Sequence, residues 1–310
     1  MADRLNDIRI VDPVLTELAR GYTNADYIAT ALFPIVNVNK EAGKIPLFGK
    51  EAFKVFDTLR ALRAKSNKIP VEARNTTSFS TDEHDAVYPA DYREFDEDSI
   101  DLRAYATFRA EAAILLKHEY NSAVLASDLA NYPTGNKETL SGTSQWTDKT
   151  NSTPITDIKD AKESVRGKIV KEPNTLVLGK KTFNALQDHP AFIERIKYSQ
   201  LGVVTVELMK QMLGFANIVV GSAVYADEDE TLHDIWSDIA ILAYIPEART
   251  NVQRSIFEPS FGYTLRKSGM PQVDTYPEEG GKIENIRSTD NLDVKIVGSD
   301  AGYLIYDCCA

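Results

Sequence analysis

Cysteine and histidine are nearly absent from this chain, with two and four residues in 310. Cys308 and Cys309 are adjacent. Neighbouring cysteines bond only in a strained geometry, so no disulfide framework can staple the fold. They read as reduced thiols, one of them facing inward on a terminal strand, with intermolecular disulfides as the lesser alternative. Without nearby histidine they make no zinc site. His84, His118, His189 and His233 stand apart, and His118-Glu119 lacks the second histidine of a zinc-protease helix. No metal is expected. A membrane span is missing too, since no apolar run approaches the ~18 residues one needs. The start, MADRLNDIRI, is charged and carries no signal-peptide stretch. The expectation is a protein made in the cytosol with no membrane partner.

Positive charge is in deficit: 35 Lys and Arg face 46 Asp and Glu, a formal net charge of -11. A surface built to grip phosphates should be basic, so sequence-specific nucleic-acid binding is not expected. Catalytic signatures are lacking as well. There is no G-x-G-x-x-G. Gly179-Lys180-Lys181-Thr182 departs from a phosphate loop because Asn174 stands where the upstream glycine belongs and an extra lysine precedes the threonine. Gly142-Thr143-Ser144-Gln145-Trp146 fails the nucleophile-elbow pattern at its last position. Asp96, Glu97, Asp98 and Asp101 lack the glycine of a calcium loop and read as a helix start. Asn75 and Asn151 match the glycosylation pattern, which means little in a cytosolic chain. No catalytic, cofactor-binding or metal-ligating residue is assigned, no cofactor is expected, and the chain is not expected to be an enzyme. Triads, however, are not readable from spacing alone.

What is present begins with a long helical segment, Glu97 to about Leu129, free of Gly and Pro. Leu102, Tyr105, Phe108, Ala112, Leu115, Tyr120 and Val124 recur at helical spacing. Asp101, Arg103, Arg109, Glu111, Lys117 and His118 mostly fall opposite. The spacing predicts an amphipathic spine of roughly 30 residues, about 45 Å long. The acidic run from Asp96 suits its N-terminus, and Asn131, Pro133 and Gly135 mark its end.

Before the spine, residues 1 to 40 hold a partial helical stripe interrupted by Pro13, then a short segment from Asn24 to Leu32 with Asn24-Ala25-Asp26 as a plausible cap. Such pieces are too short to fold alone; they need something larger to lie against, a neighbouring subunit being one candidate. Residues 41 to 95 are polar and extended, with little to bury. Ile45 to Gly49 reads as a short strand and Val71 to Ser80 as another. Lys50, Lys54, Arg60, Arg63, Lys65 and Lys68 precede the acidic section Asp82 to Asp101. Two readings stay open: a solvated excursion, or a two-stranded arm that needs outside contacts. Opposite charges on one projection suit pairing between subunits; the plainer alternative is wet surface.

After the spine, a Gly/Ser/Thr-rich loop, Asn131 to Pro154, marks a boundary. Residues 155 to 250 then have α/β texture. Helices are expected at Ile158–Val170, Lys180–Gln187, Ala191–Lys197 and Val206–Leu213. Strands are expected at Thr175–Leu178, Asn217–Ala226 and Ile235–Ile245. Glu284–Val297 reads as one long strand and Ala301–Asp307 as a final buried one. No internal repeat is visible.

This order of elements resembles the major capsid proteins of tailed double-stranded DNA phages, those with the HK97-type fold. The likeness covers nearly the whole chain. It is most specific in SDIAILAYIP, PSFGYTLRKSGMPQVDTY and KIENIRSTDNLDVKIVGSDAGYLIYD, and extends to NTLVLGKKTFNALQDHPAFIERIKY and ELMKQMLGFANIVVGSAVYA. The resemblance implies an α+β chain in four parts. Residues 1–40 would be the N-terminal arm and 41–93 an extended E-loop hairpin lying over a neighbour. Residues 94–154 would form a peripheral domain with the spine helix, joined by strand 273–297. Residues 155–272 would form an α/β axial domain, joined by 298–310. It implies self-assembly as hexamers and pentamers into an icosahedral head shell that encloses the phage DNA, with the protein located in the virion after assembly in the host cytoplasm. Portal and decoration proteins are the further partners. Some relatives carry a long N-terminal scaffolding segment; here Met1 leads directly into the arm, so a separate scaffolding protein is expected. Some relatives crosslink through a lysine; Lys50, Lys54, Lys65 and Lys68 lie in the right region, but none matches by motif. Two alternatives remain: an encapsulin-like bacterial compartment shell, and a soluble α/β enzyme with an unrecognised site.

Overall fold

The structure is a computed structural model. It describes residues 10–21, 26–46, 59–60, 65–67, 76–97, 101–196, 204–247, 260–278 and 280–309. The first elements are β1 (Ile10–Val11), α1 (Pro13–Gly21), α2 (Ala29–Leu32), β2 (Ile35–Val38), β3 (Ala42–Pro46), β4 (Thr76–Ser80), β5 (Asp82–Asp91) and α3 (Tyr92–Glu97). The long α4 (Leu102–Ser127) follows, then β6 (Lys137–Thr139), α5 (Pro154–Ile169), β7 (Thr175–Gly179), α6 (Lys180–Gln187), α7 (Pro190–Ile196) and α8 (Val206–Leu213). The chain closes with β8 (Asn217–Gly221), β9 (Val224–Ala226), β10 (Leu232–Asp234), β11 (Ile239–Ala243), β12 (Gly262–Lys267), β13 (Gln272–Pro277), β14 (Ile283–Ile296) and β15 (Gly302–Tyr306).

The 14-residue β14 contains neither Gly nor Pro and organises the larger sheet. One edge pairs with β5 over ten residues, Ile283 opposite Asp91 through Leu292 opposite Asp82. The other edge takes β13 and then β12, both antiparallel. β1 adds to β13, and β2 adds in parallel to β12. The N-terminal pieces, expected to lie against something larger, do so within their own subunit through β1, α1 and β2. Pro13 starts α1 rather than interrupting it, and the Asp12 carboxylate accepts from the Val14 and Leu15 amides. Leu15 and Ala19 of α1 pack with Leu102, Ala106, Val273 and Ile286.

Strand alternation sorts the second sheet, whose order is β6-β15-β11-β7-β8. Leu176, Leu178, Ala240, Leu242 and Ile305 face a core built with α5, α6, α7 and α8. Val177, Ile239, Ile241, Ala243 and Leu304 face the other core, with Leu32, Phe33, Ala123, Ala126 and Trp236. A strand buried on both faces reads as continuously apolar, which is why β7 and β11 are legible from sequence. The loop expected as a boundary joins this body: Lys137–Thr139 pairs with β15, and Trp146 is fully buried. Two expected strands are broken. Asn217–Ala226 splits at Ser222-Ala223, and Ile235–Ile245 begins only at Ile239. The cause is Trp236, which leaves the strand path to fill the core against Gly221, where a Cβ would meet its ring at 2.4 Å. Both thiols are buried, not one. The Trp146 amide donates to the Cys308 carbonyl at 2.8 Å, drawing the C-terminal end inward. Burial pushes both thiols up, Cys308 strongly. A thiol without thiolate character does not exchange disulfides.

The spine differs from expectation in length and in face. α4 has 26 residues, about 39 Å, and the acidic Asp96-Glu97 belongs to the separate α3. Its cap is Asp101, which accepts from the Ala104 amide at 3.2 Å. The buried face is Leu102, Ala106, Ala110, Ile114, Ala123 and Ala126 together with Thr107, Glu111, His118, Glu119 and Ser122. Tyr105 and Val124 are exposed, and Leu115 is half-buried. Small residues let the helix backbone approach the sheets, so bulky ones are displaced to its flanks, reversing the size-based stripe. Ile114 is consequently the sensitive position. Ile114→Ala is expected to cost about 2–4 kcal/mol in urea unfolding, whereas Val124→Ala should change stability by no more than ~0.5 kcal/mol.

Candidate assembly surfaces

A polar seam runs beneath the spine and sets how the two sheets meet. Glu119, 1 % exposed, accepts three hydrogen bonds: from the Ile28 and Ala29 amides at 2.8 and 2.9 Å, and from Trp236 Nε1 at 2.6 Å. The two amides open α2, so the spine supplies acceptors at its start; Asn24 and Ala25 of the expected cap lie outside the described residues. Burial raises the Glu119 carboxyl above its ordinary range, while those three donors pull it back. Next to it in the chain, the buried His118 Nε2–H donates to Thr264 Oγ1 at 3.0 Å, and Thr264 Oγ1 donates to the Phe33 carbonyl at 2.9 Å. Burial, with Arg266 nearby, lowers His118 to about 4, so the imidazole is neutral. Ser288 Oγ donates to Glu111 at 2.6 Å, and Arg266 pairs with the fully buried Asp290 at 2.7 Å.

A cavity of about 380 Å³ lies alongside, bordered by Arg20, Tyr27, Asn37, Leu115 and Met270 as well as the seam. Glu111, His118 and Glu119 are held by neighbouring side chains and backbone, which gives them a structural task, while the buried Arg266 Nε finds no hydrogen-bond partner among the described residues. His189 is also structural: its Nδ1 accepts from the Ala191 amide and its Nε2–H donates to Ser152. His233 meets Asp227 at 2.7 Å on the surface hairpin β9–β10, and His84 lies on β5. His189 and His233 thus stand apart, whereas His84, opposite Asp290, lies near enough to His118 to help lower it. Among the described residues no group of three or more His, Cys, Asp or Glu could hold a metal ion. Gly179 has a packing reason unrelated to phosphate, since a Cβ there would meet the Ser237 carbonyl oxygen at 1.7 Å. Trp146 donates its Nε1–H to Asp157 at 2.8 Å.

The segment 47–75 is rooted at β3 and β4, which pair antiparallel from Ala42–Ser80 to Pro46–Thr76. This root buries only Ile45 and Phe79, packed with Val36, Val38, Tyr263 and Leu265. Residues 47–75 connect the two strands. Lys50, Lys54, Arg63 and Lys68 lie outside the described residues; Arg60 and Lys65 are exposed. Asp82–Asp91, read as part of the projection, is instead paired along β14. Its acidic residues alternate with Ala86, Tyr88 and Ala90, which supply the inward face of that strand.

A family model described as phage major capsid protein E matches residues 131–287. The chain is 49% identical over 302 residues to the major capsid protein of Burkholderia phage BcepMu, covering 97% of this chain and 98% of that protein. The crystal structure of a phage-related protein from Bordetella bronchiseptica RB50 has a TM-score of 0.82 at 34% identity, covering 97% of this chain and 98% of that one. An encapsulin complex from Synechococcus elongatus PCC 7942 gives a TM-score of 0.54 at 13% identity over 96% and 95% of the two chains. At that identity the likeness concerns the fold alone.

Within the seam, His118 carries a pH dependence of definite sign. His118 is near 6.5 when unfolded and about 4 when folded, so its contribution is whole above 6.5 and is lost as pH falls toward 4. Buried Glu111 and Glu119, both raised, act oppositely, gaining stability as they take up protons. His118→Gln, which keeps a donor to Thr264, should therefore remove a loss on the order of 3 kcal/mol between pH 6.5 and 4. Urea unfolding of both proteins across that range reads the difference in slope.

Proposed function

From the premise that the chain belongs to the family of phage major capsid proteins, we propose that the hairpin rooted at β3–β4 joins each copy to its neighbour in the phage head. The chain is a structural protein of the virion capsid with an HK97-like α+β fold, and its copies assemble into the shell. In our reading the assemblies are hexamers and pentamers closing an icosahedral head around double-stranded DNA, without sequence-specific contact. A separate scaffolding protein, a portal and a decoration protein complete the set, and assembly takes place in the host cytoplasm. The division into N-terminal arm 1–40, E-loop 41–93 (less the β5 portion, which belongs with β14), peripheral domain 94–154 with 273–297, and axial domain 155–272 with 298–310 follows the same reading.

The observation that carries the proposal is the root itself. Two paired strands anchor in the core through Ile45 and Phe79, and the 47–75 segment between them holds seven Lys and Arg against three Asp and Glu. A two-stranded ribbon is marginal on its own and is stabilised by partners. The net charge of -11 suits a container whose wall must not adhere to packed DNA. An encapsulin-like compartment shares the fold; near-full-length 49% identity to a phage coat protein favours the head shell. The seam side chains already bond one another, which supports a role without catalysis.

Replacing residues 47–75 with a two-residue turn tests the proposal. The subunit should keep its circular dichroism and cooperative melting yet form no shells by electron microscopy. Shells of normal size from the shortened chain would contradict the proposed role of the hairpin. Particles of the full chain from infected cells should contain DNA; uniformly DNA-free particles holding an enzyme would favour the compartment.

A further inference from the structure

Two surface patches at opposite ends of the five-stranded sheet complement each other. The first is the corner where α5 turns into β7. Its apex is Val170, which caps the helix in the left-handed region at φ 60 and is 61% exposed. That position favours glycine, because a branched Cβ crowds the following carbonyl. Backbone strain of this kind concentrates where a side chain has a task. The surrounding residues 162–172 hold Lys162, Arg166, Lys168 and Lys171 against Glu163 and Glu172, with Asp300 4.0 Å from Lys168, four cations to three anions.

The second patch is the outward face of β9–β10. Val224 lies opposite Asp234 and Ala226 opposite Leu232, so these four share one face. The other face turns Tyr225 onto Tyr120 of the spine, ring centroids 5.0 Å apart. Val224 is 47% and Leu232 69% exposed. Residues 226–234 include Asp227, Glu228, Asp229, Glu230 and Asp234 and no Lys or Arg. The loop is held in shape, since the Asp227 carboxylate accepts from the Asp229 and Thr231 amides. The hairpin leaves the sheet after Gly221, whereas the Val170 corner enters it before Thr175. Register pairs Thr175 with Asn217 and Gly179 with Gly221, so the patches are separated by the strand length of about 17 Å.

We propose that the Val170 corner of one copy docks on the Val224–Leu232 face of the next, head to tail. This deepens the shell reading above and rests on it. Two unlike patches at opposite ends of one sheet make a heterologous contact, and such a contact generates a ring when its rotation closes. Apolar apices meet at the centre while the cationic corner faces the acidic loop, which steers the encounter and sets its register.

Charge exchange on the full-length chain tests this. One variant carries Arg166→Glu and Lys171→Glu, a second Glu228→Lys and Asp229→Lys, and a third all four. The readout is the protein concentration at which particles form, by sedimentation and electron microscopy, with thermal melting alongside. Each double reversal should raise that concentration about tenfold or more, and the combination should bring it back to within about threefold of the unmodified chain. Val170→Gly relieves the backbone, so it should melt no lower than the unmodified chain and still assemble less readily. Reversals that assemble like the unmodified chain, or a fourfold variant that stays impaired, overturn the docking and leave the shell reading standing. An unmodified chain that forms no ring or shell either alone or in infected cells overturns both.

Discussion

One buried carboxylate decides how the pieces of this subunit fit. Removing Glu119 from water costs several kcal/mol, and the three N–H donors around it offset that cost through charge-assisted bonds. Two of the donors are the free amides at the start of a four-residue helix that could not stand alone. The third is Trp236, at the threshold of the second sheet. A single side chain thus ties the N-terminal segment, the spine and the inner sheet at one point. The His118–Thr264–Phe33 relay and the Glu111–Ser288 bond repeat the arrangement toward the outer sheet. Hydrogen bonds are directional, so this seam fixes the angle of the helix on the sheets, which apolar packing alone leaves looser.

Small residues on the spine serve the same end. Ala106, Ala110, Ala123 and Ala126 allow the close approach that brings Glu119 within reach of its donors. N-terminal segment, spine and sheets are thus held together as one body. In the proposed shell that body keeps its shape and the segment between β3 and β4 supplies contacts to neighbours. Family membership and the geometry therefore describe one design from two directions.

Much of the framework is legible in sequence because Gly and Pro punctuate it. β7, α6, α8, β14 and β15 fall close to where their breakers place them, and the resemblance of the C-terminal third to phage coat proteins agrees with the family found. The seam was hidden for a physical reason. Glu119 meets partners 91 and 117 residues away along the chain, and helical periodicity sees only neighbours. Ranking residues by apolar bulk put Tyr105 and Val124 inside and Glu111 and His118 outside, because it ignored that a tightly packed helix selects small side chains. Alanines at helical spacing were the available signal. The inward course of Cys308 and Cys309 was equally beyond local reading, since it depends on backbone bonds to Trp146 and to Asp238.

Amide hydrogen exchange at Ile28 and Ala29 tests the central claim most directly. If Glu119 holds the N-terminal segment to the body, both amides are protected nearly as well as those of β11 in the unmodified protein. In Glu119→Ala they should exchange faster by at least about tenfold, while β11 stays protected. Equal protection of Ile28 and Ala29 with and without the carboxylate would contradict the account.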